Sequence, residues 1–293
     1  MQKLILNSYA KLNLYLEVLN KRKDNYHNIR TVFERIGLSD KIILKSRRDK
    51  KIKIICNLPQ VPKDNTNLCY RSAKLLQDVF EVNKGADIKI IKHIPLASGL
   101  GGGSSNAAAV LWGLNKIWRL GLSCARLLDL AKKIGSDVPF FLYDRPFAEG
   151  RSRGDRISPM PALNKVRLWH ILVVPGIKVS TPLIYRKWDL ERTFKLTKPK
   201  CDVKILTLAI RKKDLGLMGK ALFNSLEQVS AKLYPEITRI KEKLKIKGVK
   251  SILMSGSGPA IFGIVLLRKE AVSLSKQLKS ENRFWQVFVT RTV

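Results

Sequence analysis

The sequence predicts an α+β fold in two domains. Hydrophobic spacing switches repeatedly between a period of two and a period near 3.6, and each half holds a glycine-rich turn of its own. In the first half, Ala86, Ile88 and Ile90 alternate with Asp87 and Lys89 as in a strand. Glycines follow, and then Ala107, Val110, Leu111, Leu114, Ile117 and Trp118 recur at helical spacing. In the second half, residues 251–265 read as strand, glycine turn, strand. Composition shifts around Gly150, Arg151, Ser152, Arg153, Gly154 and Asp155, read as a loop, and again at Pro159 and Pro161. This divides the chain into domains 1–157 and 158–293.

The elements follow in order. Leu4, Ile5 and Leu6 start a short strand. Leu12, Leu14, Leu16 and Val18 alternate in a second, which puts Lys11 and Asn13 together on the opposite face. Residues 21–27, KRKDNYH, form a basic turn around the Asp24-Asn25 pair. Residues 31–55 read as further strands, with a charged hairpin near 47–51. After a Pro/Asn-rich loop, Thr66 or Asn67 caps a helix carrying Leu68, Ala73, Leu75, Leu76, Val79 and Phe80. Ser104 or Ser105 is the expected N-cap of the helix after the glycines. Ser123 caps the next helix, which stops at Gly135. Just beyond stands Asp137, against the apolar Val138, Phe140 and Phe141. It either caps the next turn or lies partly buried with a partner.

The second domain opens with a buried strand at 166–174 and a turn leading through Thr181 and Tyr185 into a helix. Residues 186–201 are polar and poorly patterned. Amphipathic helices are expected near 203–211, 215–230 and 235–245. A helix at 269–279 and a strand at 285–290 close the domain.

Composition narrows the function classes. No apolar run reaches the length of a membrane span, and the N-terminus lacks the pattern of an export signal, so a cytoplasmic protein is expected. The cysteines, Cys56, Cys69, Cys124 and Cys201, are scattered and suit free thiols. With only three histidines they argue against a structural zinc site. Lys plus Arg number 56 against 23 Asp plus Glu, a formal charge of +33. That favours anionic ligands, but the basic residues are spread along the chain without an aromatic RNA-reading signature, so no specific nucleic-acid partner is expected.

The stretch Pro95-Leu96-Ala97-Ser98-Gly99-Leu100-Gly101-Gly102-Gly103-Ser104-Ser105-Asn106 carries the chemistry. A helix N-terminus offers free N–H groups and partial positive charge, and glycines let the backbone approach closely; together they hold a phosphate. A plain turn rarely needs this many glycines directly before a strong helix. The loop lacks the Lys of a P-loop, and Ser104 stands where a G-x-G-x-x-G pattern requires glycine, so positive charge must come from elsewhere.

Three distant stretches, AKLNL at 10–14, PLASGLGGGSSNAA at 95–108 and SGSGPAIF at 255–262, together resemble the GHMP kinases over nearly the whole chain. The resemblance implies an N-terminal domain like ribosomal protein S5 and a ferredoxin-like C-terminal domain, with the active site in the cleft between them. KRKDNYH at 21–27, GLGGGSSNAA and DVPFF at 137–141 narrow it to the branch that phosphorylates the 2-hydroxyl of cytidine diphosphate methylerythritol in the non-mevalonate isoprenoid pathway. The alternative is another small-molecule member, of mevalonate or homoserine type; a basic nucleic-acid-binding protein stands behind both.

The resemblance also implies roles. Asp137 takes the proton from the attacking hydroxyl, and Lys11 keeps it ionised. Residues Pro95 to Ser105, with Asn67 and with Gly256, Ser257 and Gly258 from the second domain, hold ATP. Mg²⁺ accompanies it, with Ser105 as a candidate oxygen, although the sequence leaves the ligands open. Asn13 meets the sugar alcohol, Tyr26 and Tyr185 sandwich the base, His27 hydrogen-bonds its edge, and Thr181 joins the substrate set. A monomer or weak homodimer without a membrane partner is expected. Three departures stand out: Tyr9 replaces the usual Pro, Asn25 replaces the usual Gly before Tyr-His, and Tyr143-Asp144-Arg145-Pro146 replaces a Gly-Gly-like turn. Asn tolerates the left-handed conformation that such a Gly would adopt.

Overall fold

The computed structural model describes residues 3–191 and 199–293; part of the polar stretch expected at 186–201 lies outside them. The two short strands expected at the N-terminus are one strand, β1 (Lys3–Lys21), paired along its length with the antiparallel β2 (His27–Arg47). Register shifts at Tyr9/Ala10 and Asn13/Tyr15 absorb the break in apolar patterning, so the strand continues where the alternation lapses.

The charged hairpin expected near 47–51 does not form. β4 (Gly85–Ile91) inserts between β2 and β3 (Ile52–Cys56), antiparallel to the first and parallel to the second. Buried Ala86, Ile88 and Ile90 give β4 an apolar face that joins Ile42 and Leu44 under the helices, whereas β3 buries only Ile54 well and stays at the edge.

Two helices cover that face. α1 (Leu68–Val79) is capped by Asn67, whose Oδ1 accepts from the Cys69 N–H at 2.8 Å. α2 (Gly102–Ile117) starts earlier than expected: Gly101 is its N-cap, so neither Ser104 nor Ser105 caps it. A glycine with φ +69° turns the chain there, and its carbonyl already accepts the Ser105 N–H at 2.9 Å. α3 (Cys124–Ile134) is capped by Ser123 as expected, and the short α4 (Val138–Leu142) follows Asp137. The stretch read as a loop near 150 is the turn of a hairpin, β5 (Phe147–Arg151) and β6 (Arg156–Pro159), docked on β2. A division after residue 157 falls inside β6.

In the second half, β7 (Trp169–Pro175), β9 (Ser251–Met254), β10 (Ile261–Val265) and β11 (Trp285–Arg291) form a sheet in the order β11-β7-β10-β9. Every neighbouring pair is antiparallel, the ferredoxin-like arrangement. Its helices are α5 (Thr181–Leu190), α6 (Val203–Lys212), α7 (Leu215–Ala221), α8 (Glu227–Leu233), α9 (Pro235–Ile246) and α10 (Arg268–Glu281).

One helix was expected over 215–230; two are present. Between α7 and α8 the chain forms β8 (Phe223–Asn224), parallel to β1 at Tyr15 and Leu16. Asn224 explains the interruption. Its Nδ2 donates to the Met254 and Gly256 carbonyls, each at 2.8 Å, and its Oδ1 accepts from the Leu226 N–H at 2.9 Å. These bonds compete with a helical backbone. The halves also share a core: Ala10, Leu12 and Leu14 of β1 belong to one buried cluster with Leu172, Leu206 and Phe262.

Candidate active site

The first glycine loop is held from both sides. The Lys11 N–H of β1 donates to the Leu100 carbonyl at 3.0 Å, and the Ala260 N–H of the second half donates to the Ser98 carbonyl at 3.1 Å. Ser255 Oγ donates to the Gly99 carbonyl at 3.1 Å. Gly99 has φ +79°, and a Cβ there would lie 2.2 Å from the Ser255 carbonyl oxygen, so the two glycine turns pack backbone to backbone. The α2 amides of Gly102, Gly103 and Ser104 have no intrahelical acceptor.

Beside this loop lies a cavity of about 420 Å³. Gly99, Gly101, Lys11, Asn13 and Asp137 line one end; Tyr26, His27 and Tyr185 line the other, and Thr181, Gly256 and Ser257 also face it. Lys11 and Asn13 do share one face of β1, and that face is buried, at 4% and 3% exposure. Lys11 Nζ stands 3.4 Å from Asp137 Oδ2, donates to Asn13 Oδ1, and lies 5.5 Å from the Phe33 ring centre. Asn13 Nδ2 donates to Thr31 Oγ1 at 2.8 Å and the Asn13 N–H to Ser255 Oγ at 3.2 Å. Asp137 precedes α4 without capping it through its side chain, which leaves the carboxylate free to meet Lys11.

The other end of the cavity straddles the two halves. Tyr26 and His27 come from the β1–β2 turn, and Tyr185 from α5. Asn25, at φ +64°, adopts the left-handed turn conformation that the usual glycine would. The His27 ring stacks on Tyr185, with centres 5.0 Å apart and planes 28° from parallel, while Tyr26 is 54% exposed. Burial, reinforced by the field of Asp137, pushes the Tyr185 phenol above its ordinary range, so it stays protonated. Thr181 Oγ1 and Ser257 Oγ share a hydrogen bond of 2.6 Å, tying the start of α5 to the second glycine turn.

Other expected site residues have different surroundings. Asn67 is engaged as a cap, and its Nδ2 donates to the Pro62 carbonyl at 2.6 Å. Ser98 Oγ donates to the Pro95 carbonyl at 2.7 Å. Ser105 Oγ accepts from Ser8 Oγ at 2.7 Å within a buried chain running through Asn106 to Asp40 and Lys92. Pro95, Leu96, Ala97, Gly102, Gly103, Ser104 and Gly258 stand outside the cavity lining, around the loop and its partner turn.

Sequence reasoning missed several neighbours. Arg153 lines the cavity, its guanidinium 5.2 Å from the Tyr26 ring centre and 2.7 Å from Asp155. Asp189 reaches His27 from α5. Asn224 ties down the second glycine turn. Nothing local marks their place at the site, because the contacts that bring them there, to Tyr26, His27 and the Gly256 carbonyl, are distant in the chain.

Known proteins share this chain's sequence pattern and fold. The GHMP kinases N terminal domain matches residues 67–145, and the GHMP kinases C terminal domain matches residues 206–283. A 4-diphosphocytidyl-2-C-methyl-D-erythritol kinase from Geobacillus sp. (strain WCH70) is 44% identical over 263 residues, 90% of this chain and 88% of the relative. One from Acetivibrio thermocellus is 36% identical over 294 residues, covering 100% of both chains. The crystal structure of a 4-(cytidine 5'-diphospho)-2C-methyl-D-erythritol kinase superposes with a TM-score of 0.81 at 30% identity, over 99% of this chain and 100% of that one. A homoserine kinase from Cytophaga hutchinsonii shares the fold at 18% identity, with a TM-score of 0.74 over 100% of this chain and 95% of its own. With a glycine loop, a Lys–carboxylate pair and an aromatic end around one cavity, and with kinases of this name matching 90% or more of its length, the chain belongs to the 4-diphosphocytidyl-2-C-methyl-D-erythritol kinase family of GHMP kinases.

Proposed function

We propose that the protein transfers the γ-phosphate of ATP to the 2-hydroxyl of 4-diphosphocytidyl-2-C-methyl-D-erythritol. The observation that carries this reading is a single cavity lined at one end by the Lys11–Asp137 pair and at the other by Tyr26, His27 and Tyr185. A substrate with an alcohol at one end and a pyrimidine at the other fits that polarity. Gly99 and Gly101 border the pair, so nucleotide phosphates held at the start of α2 lie beside the attacking hydroxyl.

Asp137 takes the hydroxyl proton as the new O–P bond forms, a contribution of roughly 10²–10⁴-fold. Lys11 balances the carboxylate and the charge on the transferring phosphoryl group, and Asn13 fixes the ammonium. Tyr26 and Tyr185 stack the base, and the polar edge of His27 reads it.

Mg²⁺ belongs to this reaction as the companion of ATP, supplying charge neutralisation at the phosphates and needing only one or two protein oxygens. Ser105 does not fit as its ligand: the hydroxyl is buried and bound to Ser8, and among the described residues no group of three metal-ligating side chains gathers. No step is assigned to the metal. No described helix is long and apolar enough to cross a membrane; a cytoplasmic monomer or weak homodimer, acting on small molecules rather than on a specific nucleic acid, completes the proposal.

The test is ADP release with a panel of alcohols. Turnover with the cytidine diphosphate substrate should exceed that with mevalonate and homoserine by orders of magnitude. Equal or better turnover with mevalonate would overturn the assignment.

A further inference from the structure

His27 is placed to read a base, and its surroundings also decide what it can read. Its Nε2 lies 2.8 Å from Asp189 Oδ1, and Asp189 Oδ2 accepts from Lys21 Nζ at 2.9 Å. Burial alone would raise the Asp189 carboxyl, but the hydrogen bonds from Lys21 and His27 hold it below the usual carboxylate range. An ionised carboxylate only accepts, so the proton between the two groups sits on Nε2. Lys21 already balances the single negative charge of Asp189, and the carboxylate meets the ring through Nε2. A neutral imidazole protonated at Nε2 has an acceptor at Nδ1. Among the described residues no protein donor reaches Nδ1, and the ring lines the cavity. Stacking on Tyr185 and an edge contact with Trp188, centres 5.7 Å apart, fix the ring plane.

We propose that Asp189 is a positioning residue: it holds His27 with the proton on Nε2, so that Nδ1 faces the cavity as an acceptor and selects a pyrimidine bearing an exocyclic amine over one bearing a carbonyl there. The inference rests on the cytidine substrate argued above. Cytosine offers an N–H donor at that position; uracil offers an oxygen, which would face the acceptor without a proton between them. A site built to pair with an N–H rejects the analogue lacking it, because the buried acceptor is then left unpaired.

The test compares the cytidine diphosphate substrate with its uridine counterpart in the wild type, Asp189→Asn and Asp189→Glu. In Asp189→Asn the amide can donate to Nε2 and move the ring proton to Nδ1. The KM for the cytidine substrate should rise at least about tenfold, kcat and the KM for ATP should change little, and the cytidine-to-uridine ratio of kcat/KM should fall at least about tenfold. Asp189→Glu, still an acceptor, should restore most of that ratio. Nitrogen-15 spectra of the wild-type ring should show the proton on Nε2, and those of Asp189→Asn a shift towards Nδ1. If Asp189→Asn raises both KM values equally and keeps the ratio, Asp189 only anchors α5 and the proposal fails. A proton on Nδ1 in the wild type overturns it as well. Failure of the wild type to turn over the cytidine substrate would instead reject the functional reading beneath it.

Discussion

The two ends of the cavity are built in opposite ways. At the Lys11 end the side chains come from the first half: buried Lys11 contacts both Asn13 and Asp137, and the second half contributes Ser255 and its glycine turn. At the base end Tyr26 is half exposed, and the contacts His27–Tyr185 and His27–Asp189 cross from β2 to α5. The Lys11–Asp137 pair is thus preset by a single sheet and its helices, whereas the His27 cluster is spread over a junction between the halves. Damage to the first end should therefore appear in kcat, and damage to the second in KM.

The largest expected effect is at Asp137. Asp137→Asn keeps the shape but removes the base, so kcat should fall at least about a hundredfold with the KM values nearly unchanged. Lys11→Met should also cut kcat, and the double variant should be little worse than the poorer single one, because the two groups act as a unit. Additive losses would show that Lys11 serves the phosphate independently of Asp137. Gly101→Val comes next. A Cβ there meets Lys11 Cγ and Phe141 Cζ at 3.0 Å from a backbone at φ +69°, so the KM for ATP should rise about tenfold or more, measurable by calorimetry as lost nucleotide affinity.

Tyr185→Ala should cost about 1–3 kcal/mol of cytidine-substrate binding, and Tyr26→Ala less, since its ring is already half in water. ATP binding should stay the same in both. A fall in kcat without a change in KM would erase the contrast between the ends. The smallest effect concerns acid. The folded Asp189 carboxyl is held below its unfolded value, so its tie from α5 to Lys21 and His27 contributes stability above about pH 3.9 and loses it as pH falls through the folded value. Titrating the Asp189 carboxyl resonance should show the tie intact at pH 5 and released only in stronger acid.

Much of the phosphoryl end was legible because its requirements are local. A strand, glycines and a helix in succession can be read from spacing, and alternation in β1 puts Lys11 beside Asn13. Their burial was not legible, since a Lys on a strand face is ordinarily exposed; only the cover given by α4 and the second glycine turn decides it. The insertion of β4 between β2 and β3 escaped for the same reason: adjacency in sequence favoured a hairpin, and a better-matched apolar face far along the chain won. At the base end, Tyr26 and His27 were visible as an aromatic turn, whereas Asp189, 162 positions from His27, was not.

β8 is only two residues long, yet it lays the second half against β1 at Tyr15 and Leu16, a few residues along the strand from Lys11 and Asn13. Thr292, near the opposite end of the seam, donates to buried Glu34, which also bonds His170 at 2.8 Å, and Ile36 bridges to Thr292. A hinge needs a seam crossed by few interactions, and this one is crossed by strand pairing at one side and a buried polar knot at the other. Parting the halves would therefore mean breaking backbone pairing at one side and stranding a buried carboxylate at the other.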